Sequence, residues 1–549
     1  MKEISTKLSI RSSYKLAAIF SFAFLLAVMP TQAQEKHKKH SKDKEVPTDT
    51  VEGVKRLVDV MNLVQRTYVD VPNTDSLSEV AVRQILHSLD PHSIYIPAKE
   101  VKRANEALQG NFEGVGISFQ ILNDTIRVAE VLVGGPSEKV GVNVDDKILR
   151  IDGINATGDS AVNSFVYRHL RGKKGTMVVV DVLRGRDSIT FHIQRDKIPI
   201  NSIDVYFMED DSIGYIALER FAATSVDEFR KAVSALKDQG MKSLILDLRG
   251  NGGGYLEIAC GLSNEFIQRG KLIVYQQGRN VKRRDYRTNW RGSFREGRLV
   301  VLIDENSASA SEIVSGAVQD WDRGLIIGRR SFGKGLVQTM FTLYDGAQIR
   351  LTTARYYTPS GRCIQKPYAD YENELRNRYQ RGELFSADSI HFADSLKHKT
   401  AAGRTVYGGG GISPDIFVPM DTTPATKYYQ ACRRKGLITQ FPTFWVEQHR
   451  KDSLLVDFDT FLAHYDELHL DSAFDAYAAE KGVSLDSLQK ADSSIATANE
   501  NFLRLQVKAL VADRLYGRGH YYRIMKSQDP YYKRALITLR EEDPLKPKK

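Results

Sequence analysis

Residues 299–321 read LVVLIDENSASASEIVSGAVQDW, and this stretch decides the fold. Leu299, Val300, Val301, Leu302 and Ile303 form a short apolar run of the kind a fully buried strand needs. Asp304, Glu305 and Asn306 are turn formers. Ile313, Val314, Ala317, Val318 and Trp321 then recur at helical spacing. A strand feeding a helix through a tight turn is a unit of α/β architecture. The turn places Ser309 near a helix N-terminus, where free backbone N–H groups and the positive dipole end favour an anion. On these residues alone, Ser307, Ser309 and Ser311 also fit an ordinary helix cap and first turn.

Toward the C-terminus, Gly328 to Gly335 spells G-x-x-x-x-G-K-G. That is one residue short of a phosphate-binding loop. Gly335 stands where a hydroxyl would have to hold magnesium. The next residues, Leu336 to Leu343, alternate like a strand and do not open a helix. Lys334 therefore reads better as a base. A serine hydroxyl needs one to take its proton. A lysine serves only if its pKa falls from roughly 10.4 to near neutrality, a cost of about 4 kcal/mol that burial can impose. Gln338, an even number of residues along the strand, would project from the same face as Lys334.

Toward the N-terminus, Ser243 to Leu248 reads as another strand and Arg249 to Gly254 as a glycine-rich loop. Ile258, Leu262 and Phe266 continue at helical spacing. Glycines let backbone N–H groups approach a ligand closely. Gly252, Gly253 and Gly254, with the N–H of Ala310, would suit an oxyanion; the same loop would also suit a phosphate.

Three segments, DLRGNGGG (247–254), SASASEI (307–313) and FGKGLVQ (332–338), together resemble the carboxy-terminal processing peptidases, also called tail-specific proteases. LDPHSIY (89–95) resembles the motif ahead of that family's PDZ domain, and Gly408 to Pro419 resembles the end of its core. The resemblance spans residues 50–420. It implies a Ser–Lys dyad with Ser309 as nucleophile, Lys334 as general base and Gln338 as its orienter. It also implies oxyanion donors from Ala310 and one of Gly252, Gly253 and Gly254. Neither a metal nor another cofactor is required. No histidine lies in the three core motifs, which disfavours a Ser-His-Asp triad.

Residues 111–197 change character, with short alternating strands between glycine-rich turns. Gly114, Val115, Gly116 and Ile117 resemble the carboxylate-binding loop of PDZ domains. Such a loop captures a terminal carboxylate on backbone N–H groups while the peptide adds as a strand to a sheet edge. One departure is Asp145, where a glycine often precedes Asp146.

The expected fold is a multidomain α/β protein: an α/β serine-protease core, a β-rich PDZ domain, and mainly helical regions at both ends. The segments are a signal peptide (1–33), a basic linker (34–50), an N-terminal helical region (51–110), the PDZ domain (111–197), the Ser–Lys peptidase core (198–420), and a C-terminal helical region with a disordered tail (421–549). Lys2, Lys7, Arg11 and Lys15 ahead of the apolar stretch from Leu16 to Met29, then Thr31-Gln32-Ala33, have the form of a secretory signal. Export to the periplasm is the expectation.

With 549 residues, 42% of them hydrophobic, the chain has material for several cores. Its net charge of +10 is moderate for that length. The basic run between Glu35 and Glu45 leaves peripheral membrane association open. Arg279 to Arg298, with Tyr286 and Trp290 interleaved, superficially suits nucleic acid; export argues against that and favours an exposed hairpin or lid. Lys366 to Thr405 is charge-rich and reads as a surface excursion. Three cysteines give neither a disulfide framework nor a metal spacing.

The expected function is an exported serine endopeptidase acting on proteins or peptides with free C-termini. An oligomer or adaptor stays open, and nucleic acid is not expected as a partner. The alternative is a non-catalytic PDZ-type peptide-binding scaffold on the same fold.

Overall fold

The computed structural model describes residues 48–368, 371, 373–421, 426–485 and 496–541. The expected signal peptide, nearly all of the basic linker and the terminal tail lie outside the described residues. By packing, the described residues divide into two units, with the boundary between Ser78 and Glu79. The first unit holds the helix Thr48–Thr67 and the start of the helix Thr74–Leu89. Everything below belongs to the second.

Its centre is a six-stranded sheet in the order Val205–Met208, Ile213–Ala217, Ser243–Asp247, Arg298–Ile303, Leu325–Gly328, Ile416–Phe417. The first pair is antiparallel and the remaining pairs are parallel. Strands covered on both faces must be apolar almost throughout, and SLILD (243–247) and LVVLI (299–303) are buried along their length. The helices Leu256–Phe266 and Ala310–Asp320 join the hydrophobic cluster on one face. Tyr531, Tyr532, Ala535 and Leu539 of the helix Pro530–Arg540 fill the cluster on the other.

That last helix changes the meaning of the C-terminal region. Its sequence is polar and reads as part of an appended helical segment, yet it supplies the second cover of the core sheet. Asp529 caps it by accepting from the N–H groups of Tyr531 and Tyr532, with Pro530 at its first position. The same carboxylate takes both terminal nitrogens of Arg249, at 3.0 and 2.7 Å. The glycine-rich loop is thus braced from the back of the sheet.

A second sheet stands at the side. Gln348–Tyr357 pairs with Leu336–Thr342 along one edge, and with Ile94–Ile96 and Leu272–Gln277 along the other. The strand Leu336–Thr342 begins two residues after Lys334, and a bulge falls between Val337 and Gln338. The expected strand alternation therefore does not place Lys334 and Gln338 on one face. Arg284–Arg287, from the basic stretch, is the outermost strand.

Residues 117–194 form an antiparallel sheet in the order Ile117–Leu122, Thr125–Val131, Lys147–Ile151, Met177–Arg184, Asp187–Gln194. The helix Asn163–Leu170 packs on it. Asn111–Gly114 pairs with Asp196–Pro199, so the chain enters and leaves this domain through a two-stranded stalk. Asp145 has φ = 70°, a region that favours glycine. Its carboxylate accounts for the substitution: it accepts from Arg514 at 2.7 Å and Arg450 at 2.8 Å, both from the C-terminal helices. Arg127 with Glu447, and Thr443 with Gln120, extend that contact.

Candidate active site

The turn after Ile303 is strained where it matters. Ser309 has φ = 55° and ψ = −109°, and caps the helix Ala310–Asp320. A non-glycine residue held there costs on the order of 1–3 kcal/mol, and such strain collects at functional sites. The surroundings hold it in place. Ser307 and Ser311 are completely buried. Their hydroxyls donate to the carbonyls of Leu248 and Asn251, both at 2.8 Å, which stitches the serine turn to the glycine loop. Of the three serines, only Ser309 lines the central cavity. Its selection thus has a physical basis: the other two hydroxyls are used in structure.

Glu312 is the hub. Its fully buried carboxylate accepts four hydrogen bonds: Oε2 from the N–H groups of Ser309 (2.8 Å) and Lys334 (2.9 Å), Oε1 from Gly333 N–H (2.7 Å) and Ser331 Oγ (2.5 Å). One side chain fixes the backbone at both the serine and the lysine. Burial raises its pKa against the pull of those donors. On the opposite side the buried Tyr356 hydroxyl lies 2.7 Å from the Lys334 carbonyl and 3.1 Å from the Ser309 carbonyl. The SASASEI motif by itself assigns Glu312 no role. Its signal was present: a glutamate three residues after a serine, ahead of an apolar helix, is a capping box.

Lys334 and Ser309 line one cavity of about 450 Å³, together with Gly252, Gly253, Gly254, Gln338, Arg350 and Tyr356 among others. Burial holds the Lys334 amine below the ordinary lysine range. Glu312 and Asp90 oppose the shift, and Arg350 adds to it. The loop before the lysine is held from beneath by Arg378, 1% exposed, which donates to the carbonyls of Arg330, Ser331 and Phe332. Arg378 comes from the charge-rich excursion, so that segment is more than surface.

The expected oxyanion donors divide. Gly253 N–H is committed to Asn251 Oδ1 at 2.9 Å. Gly253 must nevertheless be glycine. Its φ is 102°, and a Cβ would lie 2.8 Å from Ser309 Cβ. Among the described residues, the N–H groups of Gly252, Gly254 and Ala310 donate no hydrogen bond to the fold. Gln338 lines the cavity, but its Nε2 donates to Thr352 Oγ1 at 3.3 Å.

His92, from the LDPHSIY segment, stands near the lysine. Burial, then the Lys334 charge, pushes it down to about 4, while Asp90 opposes. Its Nε2 is 2.5 Å from the Tyr371 hydroxyl. It is therefore a neutral neighbour at pH 7. Burial also pushes the Cys260 thiol up to about 12, which fits a packed side chain and not a nucleophile.

In the PDZ-like domain, the Val115 carbonyl accepts from the Ser137 N–H (3.0 Å) and hydroxyl (2.7 Å), and the Gly116 carbonyl from Leu132 N–H. Gly114 ends the stalk strand, Gly116 has φ = 77°, and Ile117 begins a strand that, among the described residues, pairs on one side only. The loop is anchored by its carbonyls next to a free sheet edge.

Three segments of the chain match known families. Peptidase family S41 matches residues 212–372, a PDZ domain matches 114–194, and a family of unknown function matches 428–517. The carboxy-terminal-processing protease of Bartonella bacilliformis is 37% identical over 387 residues, which cover 68% of this chain and 86% of that protein. A probable CtpA-like serine protease of Staphylococcus aureus is 31% identical over 314 residues, covering 57% and 62%. The photosystem II D1 C-terminal processing protease is 25% identical, covering 67% and 93%, with a TM-score of 0.35. The protein is a serine-type peptidase with a PDZ domain. It belongs to peptidase family S41, among the carboxy-terminal processing proteases.

Proposed function

We propose that the chain is an exported endopeptidase in which Ser309 attacks the scissile carbonyl and Lys334 is the base. The supporting observation is Glu312: one buried carboxylate clamps the backbone of a strained serine and of a lysine whose amine burial drives toward neutrality. Lys334 takes the hydroxyl proton and returns it to the leaving amine. An acyl-enzyme forms on Ser309, and water hydrolyses it. The developing oxyanion takes N–H groups from Ala310 and from Gly252 or Gly254, since Gly253 N–H is engaged.

The PDZ domain captures a free terminal carboxylate at residues 114–117, and the peptide pairs with the open edge of Ile117–Leu122. Export to the periplasm rests on the signal-like residues 1–33. Peripheral membrane contact through the basic linker, and assembly with copies or an adaptor, are compatible with this reading.

The test is cleavage of an unfolded protein by the wild type, Ser309→Ala and Lys334→Ala. Both variants lose activity if the dyad is right; survival of activity in both overturns it. A substrate with an amidated C-terminus is cleaved more slowly, and equal rates for acid and amide remove the capture step alone. Export predicts a mature chain beginning near Gln34. An intact N-terminus on the cell-derived protein contradicts cleavage of that segment.

A further inference from the structure

The LDPHSIY segment lies far from the core motifs in sequence, yet Asp90 and Ser93 are buried at 7% and 4% exposure beside the second sheet. Asp90 accepts from His92 N–H (2.8 Å), Ser93 N–H (2.9 Å) and Ser93 Oγ (2.6 Å). This closed turn grips one residue of the strand Gln348–Tyr357 twice. Thr352 N–H donates to Ser93 Oγ at 3.1 Å, and Thr352 Oγ1 donates to Asp90 Oδ1 at 3.2 Å.

Thr352 is the cross-strand partner of Gln338. A threonine hydroxyl has a single proton. With that proton on Asp90, the oxygen can only accept, and what it accepts is Gln338 Nε2 at 3.3 Å. An amide has a donor end and an acceptor end. Fixing Nε2 on Thr352 leaves Oε1 as the free end of a side chain that lines the cavity with Lys334.

We propose that Asp90 and Thr352 are positioning residues: together they set the polarity of the Gln338 amide, so that its carbonyl oxygen accepts from the Lys334 amine and turns the amine lone pair toward Ser309. This rests on the dyad reading above. It gives the LDPHSIY segment a function and supplies the orientation of Gln338 that the strand register does not.

Two effects of Asp90 run in opposite directions, which makes the proposal testable. The Asp90 charge opposes the lowering of the Lys334 pKa. Were charge the whole story, Asp90→Ala, which removes both the charge and the acceptor for Thr352, would leave more neutral lysine and preserve or raise the rate near neutral pH. Positioning requires that the rate fall.

The experiment measures kcat and KM for wild type, Thr352→Val, Thr352→Ser, Asp90→Ala, Gln338→Ala, and the double variants of Gln338→Ala with Thr352→Val and with Asp90→Ala, with thermal melts of each. Thr352→Val is expected to lower kcat about tenfold, the worth of roughly one hydrogen bond, with KM little changed. Thr352→Ser keeps the hydroxyl and is expected to stay within about twofold of wild type. In the Gln338→Ala background the valine change is expected to add little. A wild-type kcat for Thr352→Val, an unchanged or raised kcat for Asp90→Ala, or a full tenfold loss persisting without Gln338 overturns the proposal. Failure of the dyad reading is distinct: Ser309→Ala and Lys334→Ala would then remain active. If Thr352→Val does not fold, Asp90→Ala carries the test, with a loss of kcat in the wild-type background that adds little to Gln338→Ala.

Discussion

The cavity that Ser309 and Lys334 line and the glycine loop of the PDZ domain both sit at glycine-lined turns, but they are built by opposite rules. Around Ser309 nearly every polar group is already engaged. Glu312 takes four hydrogen bonds, Ser307 and Ser311 are consumed by neighbouring carbonyls, and Tyr356 spans two more. The PDZ domain instead leaves the outer edge of Ile117–Leu122 without a strand partner among the described residues. Chemistry needs fixed proton positions, because a small misplacement of reacting atoms costs rate steeply. Recognition of varied tails needs backbone left unspent, which a new strand then satisfies.

Changes that break the closed network should therefore cost more than changes to the open one. Glu312→Ala should have the largest effect, removing the shared anchor of both loops and leaving four donors unsatisfied. A loss of about 3 kcal/mol or more in denaturant unfolding is expected, with activity lost; a near-wild-type midpoint would contradict the hub. Gly253→Ala comes next. Its Cβ would press on Ser309 Cβ in a backbone region that favours glycine. A kcat loss of about a hundredfold, with tail binding unchanged, is the expected result.

Asp145→Gly should be milder, since it relieves φ = 70° while releasing Arg450 and Arg514. We expect a net stability change within about 1 kcal/mol but faster hydrogen exchange where the PDZ domain meets the C-terminal helices. Unchanged exchange there would remove Asp145 as the link. The smallest effect is on pH dependence of stability. The folded pKa of His92, about 4, lies below its ordinary 6.5. The unfolded chain therefore binds more protons between those values. This contribution is complete above pH 6.5 and is lost as pH falls through 4. His92→Gln should flatten the stability curve in that window and nowhere else.

Local patterns were readable where one segment carried the whole message. Apolar runs marked the buried strands, and the three ordered motifs brought Ser309, Lys334 and the glycine loop to one cavity. What escaped was made by residues distant in sequence. Glu312 was visible as a capping signal, but its bonds to Gly333 and Lys334 depend on tertiary approach. Arg378 was hidden because charge-rich sequence ordinarily means surface, whereas here paired side chains bury beneath the lysine loop. The helix Pro530–Arg540 is polar enough to read as an appendage, because its aromatic face becomes informative only against a sheet that needs a second cover. Asp145 looked like a blemish in a PDZ turn until its two arginine partners were seen.

The central claim is that the Lys334 amine activates Ser309. The most direct measurement is the rate of covalent labelling by a fluorophosphonate across pH, with the modified peptide mapped by mass spectrometry. The account predicts a label on Ser309 whose rate rises with pH below the ordinary lysine range, and which collapses in Lys334→Ala. A label on another residue, or an unchanged pH profile without Lys334, would contradict it.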